Sequence, residues 1–250
     1  MTWTTLLTQR PLLRRGAVAL TVALLAEAAS AGVFSVVPVR IFMSPRDRAV
    51  AITLTNEGDT PVALQADVNV WRQKPDGTDE ETLSEDLILS PPIIKLAPRA
   101  RQVVRLARTA PADLSQQLTY RLTVREVPEI SAPSQPVLQI PITLALSMPV
   151  FITPPNAQRT VACEASRSAG AADALNVACT NSGNAYAQVR ELAIQRGGQV
   201  AARAEVASYL LPGARKTLGL KADKVLEAGP AELVIGFDDG TRQAFPVSLP

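Results

Sequence analysis

From Val33 to the end of the chain, apolar residues recur at every second position in short runs separated by Gly, Pro, Asn and Asp. Alternation of this period puts successive side chains on opposite faces of an extended chain, so each run predicts a half-buried β-strand. Strands are expected near 33–43, 49–55, 62–72, 86–89, 101–107, 118–126 and 137–152. After the break at Thr153, Pro154 and Pro155 the rhythm resumes near 160–165, 174–180, 185–195, 199–207, 215–220, 231–237 and 242–249. Residues 56–61 and Asp238, Asp239 and Gly240 have the composition of tight turns. A short extended piece, 93–96, lies between two proline-containing breaks, while 76–81 reads as a solvated hairpin loop and 221–228 as a loop or short helical turn. About seven strands in roughly 120 residues is the size of an immunoglobulin-like sandwich. The proline break has the character of a domain boundary, so the pattern predicts an all-β chain of two sandwiches.

One run stands apart. Leu138, Ile140, Ile142, Leu144, Leu146, Met148 and Val150 are apolar at every second position, which puts all seven on one face. Thirteen residues at about 3.3 Å each make a strand of roughly 40 Å, far longer than an ordinary one. Pro141 and Pro149 lie within it, and a proline has no N–H to give to a ladder, so each belongs on an edge strand or at a bulge. A long apolar edge invites aggregation unless something covers it. Either it is a long core strand, spanning one sandwich or crossing into the next, or it is lent to another polypeptide as an added strand.

The first residues suggest export. Arg10, Arg14 and Arg15 precede an apolar run, 16–26, and Ala29, Ser30 and Ala31 offer a small-x-small cleavage pattern. Residues 1–31 are therefore expected to be a cleaved signal peptide; the run is shorter than the roughly 20 residues a membrane span requires. In an exported chain the two cysteines, Cys163 and Cys179, can form a disulfide, and each lies in a strand-like stretch, so they are expected to staple two neighbouring strands.

Composition removes several kinds of chemistry. The chain has no histidine, which excludes histidine-based triads, proton relays and His-ligated zinc. There are 25 Lys and Arg against 23 Asp and Glu; setting aside Arg10, Arg14, Arg15 and Glu27 leaves 22 of each sign, with no basic footprint for nucleic acid. The acidic stretch at 76–81 lacks the spacing of a calcium loop, and Lys216 and Thr217 lack the glycine frame of a phosphate-binding loop. Trp71 and Tyr120 are expected in the core. No metal or cofactor is expected and no enzyme is indicated; a hydrolase would need a carboxylate pair, for which Glu126 with Asp67 or Asp86 is the available guess.

Four stretches carry a family resemblance. They are Val37 to Ile41 with its basic residue Arg40, the turn at 56–61, the proline-rich 90–98 followed by Val103 to Leu106, and Tyr120 to Pro128 followed by 137–154. In this order they resemble the periplasmic chaperones of the chaperone–usher pilus pathway. The resemblance implies two immunoglobulin-like domains in an L or boomerang arrangement, a subunit-binding N-terminal domain at 32–153 and a second sandwich at 154–250. It implies partners of two kinds, pilus subunits lacking a final strand and an outer-membrane usher, and it places the protein in the periplasm. Subunit capture by strand donation then falls to Leu138, Ile140, Ile142, Leu144, Leu146 and Met148, with Arg40 as anchor for a subunit's terminal carboxylate, since a guanidinium offers that group a two-pronged fork. The family's second basic anchor would align with Pro149, which cannot serve; Lys95, Arg105 and Arg125 are the candidate substitutes. This departure and the longer donor strand make the chain similar to the divergent, archaic branch. Self-association through the exposed strand stays open. The competing reading is a secreted two-domain structural or adhesive protein whose long strand is internal.

Overall fold

The computed structural model describes residues 34–109, 114–128 and 143–249. Seventeen strands and no helix occur among them. The first ten are β1 (Phe34–Val37), β2 (Ile41–Met43), β3 (Ala49–Asn56), β4 (Val62–Gln73), β5 (Asp79–Leu83), β6 (Leu87–Ser90), β7 (Ile93–Leu96), β8 (Arg101–Arg108), β9 (Leu118–Glu126) and β10 (Ala145–Ile152). The remaining seven are β11 (Val161–Arg167), β12 (Ala174–Asn181), β13 (Ala187–Arg196), β14 (Gln199–Leu210), β15 (Arg215–Lys221), β16 (Gly229–Phe237) and β17 (Arg242–Leu249).

They form two immunoglobulin-like sandwiches. In the first, a sheet ordered β1-β3-β8-β6 faces one ordered β2-β10-β9-β4-β5, with β7 also paired to β4. In the second, β11-β12-β15 faces β14-β13-β16-β17. Alternation explains both cores. Leu64, Ala66 and Val68 of β4 and Tyr120, Leu122 and Val124 of β9 point inward against Ile52, Leu54, Val104 and Leu106 of the opposite sheet. Val177, Leu192, Ile194, Leu233 and Ile235 do the same in the second sandwich. Each such side chain contributes about 1.5–3 kcal/mol of gross burial. Trp71 and Tyr120 are buried, as expected.

Two expectations need correction. The strand expected at 33–43 is two strands in different sheets, because Pro38, Val39 and Arg40 carry the chain across from one layer to the other. The acidic stretch expected to be a loop ends in a strand: the turn closes at 74–78 and β5 pairs with the end of β4. Its carboxylates are held by Arg121, which pairs with Asp79 and Glu81 at 3.2 Å each. Residues 222–228 are a loop, one of the two forms expected for 221–228.

The sandwiches share one device. Asn56, at the end of β3, donates from Nδ2 to Thr60 O and Ala97 O and accepts from Gly58 N. Asn181, at the end of β12, donates to Ala185 O and Leu210 O and accepts from Thr160 N and Gly183 N. Each buried amide thus satisfies backbone groups that a tight corner would leave unpaired. Gly183 is fixed by close packing, since a Cβ there would lie 2.3 Å from Gln158 O. Cys163 and Cys179 are register partners on β11 and β12 and are joined by a disulfide.

Candidate functional site

The long alternating run ends in β10, and its two neighbours differ in length. β9 pairs antiparallel along the whole strand, from Ala145 opposite Arg125 to Ile152 opposite Leu118. β2 pairs parallel at 150–152 only. Glu126 N donates to Leu144 O, and antiparallel bonding alternates, so even positions of β10 turn their backbone groups toward β9. Odd positions turn theirs the other way, and Thr153 N donates accordingly to Met43 O of β2. At Ala145 and Ser147 that side has no paired strand among the described residues. Pro149 occupies an odd position, where its missing N–H costs the β9 ladder nothing.

The side chains follow a gradient. Val150 and Ile152 are fully buried and Met148 is 4% exposed; Leu146 packs on the rim of the core, and Leu144 is 38% exposed. Leu138, Ile140 and Ile142 lie outside the described residues.

Arg40 stands where the open edge stops, one residue before β2 begins. It reaches into the cleft between the sandwiches. Nη1 donates to Asp238 Oδ2 at 2.6 Å and Nη2 donates to Gln188 Oε1 at 2.8 Å. The Tyr186 hydroxyl donates to the same Asp238 oxygen at 3.2 Å. Burial, and then Asp238, pushes the Tyr186 pKa up to about 12, so the hydroxyl keeps its proton. Burial works against the charge on Arg40, but Tyr209, Tyr186 and Asp238 outweigh it and raise the pKa.

Aromatic rings pave the rest of the cleft. Phe151 stacks on Tyr186 with centroids 4.2 Å apart, and Phe42, half exposed, stacks on Phe151 at 5.5 Å. Trp71 meets Tyr209 edge-on at 5.3 Å. Two glutamines tie the sandwiches together beneath the rings. Gln73 donates to Tyr209 O and accepts from Leu211 N, while Gln117 donates to Thr153 Oγ1 and accepts from Tyr186 N.

The candidate substitutes for a second anchor do not converge on this cleft. Lys95 is exposed on β7, Arg105 is exposed on the opposite sheet, and Arg125 pairs with Asp67 on the outer face of β9. Arg121 is the basic residue opposite Pro149, and it is held by β5 and lies over the Trp71 ring. The carboxylate pair does not assemble either. Glu126 shares the inward face with its register partner Leu64, whereas Asp67 faces outward; Asp86 sits by the Tyr120 hydroxyl, six positions along β9 and about 20 Å away. Asp238, Gln188 and Tyr186 were not legible as site residues, since nothing in a turn or strand motif ties them to an arginine 198 positions away.

Residues 33–158 match the family model described as pili and flagellar-assembly chaperone, PapD N-terminal domain. The chain belongs to this family. No curated protein sequence matches it. Among solved structures, a chain of the CsuC–CsuE chaperone–tip adhesion subunit pre-assembly complex from archaic Csu pili of Acinetobacter baumannii is 18% identical with a TM-score of 0.63; 87% of this chain and 99% of that one are covered. The E. coli chaperone DraB is 16% identical with a TM-score of 0.55, covering 88% and 98%. The Salmonella enterica SafA pilin–SafB chaperone complex gives 16% and 0.55, covering 88% and 97%. The likeness spans both sandwiches of this assembly-chaperone fold.

Proposed function

We propose that the protein is a periplasmic chaperone that binds pilus subunits lacking a final strand, completes them with the strand ending in β10, and delivers them to an outer-membrane usher. The observation that carries this reading is the backbone edge at Ala145 and Ser147, which has no paired strand among the described residues and stops at Arg40. An added strand would satisfy those backbone groups and cover Leu144 and Leu146, the two requirements of strand addition. The cation favours one direction. A strand parallel to β10 would bring its C-terminal carboxylate to Arg40, whereas an antiparallel one would bring an ammonium group against a guanidinium. Leu138, Ile140, Ile142, Leu144, Leu146 and Met148 would fill the subunit's groove.

In this reading residues 1–31 direct export and are removed, 32–153 form the subunit-binding domain and 154–250 the second domain. The protein acts by binding, without catalysis, and the proline where the family has a basic residue, Pro149, supports a place in the archaic branch. The test is co-purification from the organism's own periplasm, wild type beside Leu144→Glu. A pilus subunit recovered with wild type and lost from the folded variant supports strand donation. A monodisperse, partnerless protein in both samples supports the secreted structural reading.

A further inference from the structure

The fork of Arg40 is already filled from within the chain. Asp238 Oδ2 and Gln188 Oε1 take the two terminal nitrogens side by side, at 2.6 and 2.8 Å, much as the two oxygens of one carboxylate would. Asp238 is held in that place by more than the arginine. Its own N–H donates to Gln188 O at 3.1 Å, and Tyr186 donates to its Oδ2. Its side chain is 13% exposed, against 32% for Arg40.

Resting on the reading of Arg40 as a carboxylate anchor, we infer that Asp238 is a built-in competitor for that anchor, an internal carboxylate that an incoming strand terminus has to displace. Two carboxylates on one fork repel each other, and a displaced Asp238 stays hydrogen-bonded to Tyr186 but loses its counter-charge. The exchange leaves a lone carboxylate only part of what Arg40 would otherwise give it, too little to hold it there by itself. A strand that also pairs along Ala145 and Ser147 gains the difference, so the competitor selects ligands that occupy edge and anchor together. Arg40 belongs to the first sandwich and Asp238 to the second, so the exchange also removes an ion pair between them.

Asp238→Asn retains the shape and the hydrogen-bonding partners while removing the charge. The experiment is calorimetric titration of the full chain with a synthetic peptide of alternating valine and serine, in free-carboxylate and C-terminal amide forms. The inference expects Asp238→Asn to bind the carboxylate form about tenfold more tightly than wild type, one charged hydrogen bond no longer being surrendered, with the amide form unchanged. Equal carboxylate preference in the two proteins overturns the competitor and leaves the anchor standing. No carboxylate preference in either protein removes the anchor itself. Weaker binding of the amide form by Asp238→Asn would show that Asp238 only shapes the cleft, and would also overturn the inference.

Discussion

The two ends of β10 carry one alternating pattern into different surroundings. At Met148, Val150 and Ile152 the strand is buried, with β9 along one side and β2 along the other from Val150 onward. At Ala145 to Ser147 it has β9 alone among the described residues, and the apolar face rises from the rim of the core to the half-covered Leu144. Hydrophobic pattern therefore does not report whether a face is buried within its own chain. It reports that the face needs cover, and the length of the neighbouring strand decides who supplies it.

Charge substitution separates the two ends most widely. Val150→Asp would leave a carboxylate in the core and is expected to cost about 4 kcal/mol or more, unfolding most of the protein. Leu144→Asp should change stability by less than about 1 kcal/mol while abolishing subunit capture. Urea titration and co-purification check the pair, and equal destabilisation would make β10 a core strand throughout. A change remote from the edge supplies the contrast. Replacing Cys163 and Cys179 together by serine releases the loop between β11 and β12 and should cost about 3 kcal/mol. Capture measured well below the melting temperature should not alter.

Proline tests the backbone face. Leu146→Pro would take an N–H from the β9 ladder and should cost about 2–3 kcal/mol, whereas Ser147→Pro takes an N–H from the open side and should cost much less. Only the latter should combine a near-native unfolding curve with weakened peptide binding. Arg40→Ala tests the anchor. Loss of a partly exposed ion pair should cost about 1 kcal/mol, and carboxylate-ended peptide should bind about tenfold more weakly.

What was legible in the sequence follows from which interactions are local. β9 and β17 were read at their bounds because alternation and flanking turns act within each strand. β5 was not, since its residues are exposed and mostly acidic and are strand only through pairing with β4 and the hold of Arg121. The run at 33–43 was read as a single strand, because nothing local shows that the chain changes sheets at Pro38. The shared corner of the sandwiches is a motif of three residues, Asn56 to Gly58 and Asn181 to Gly183, too short to register as a repeat. Arg40 stood out through its place in a family-like strand. Its partners did not, because the ion pair with Asp238 exists only once two sandwiches are docked through Phe151, Tyr186, Gln73 and Gln117.

The central claim is that a partner strand seats on the open side of β10 and ends at Arg40. Residue-resolved amide hydrogen exchange, with and without the carboxylate-ended peptide, tests it most directly. The account predicts that the amides of Ala145 and Ser147 gain protection on binding, while those of Leu146 and Met148, already bonded to β9, keep the protection they had. Binding that leaves Ala145 and Ser147 exchanging as in the free protein would contradict it.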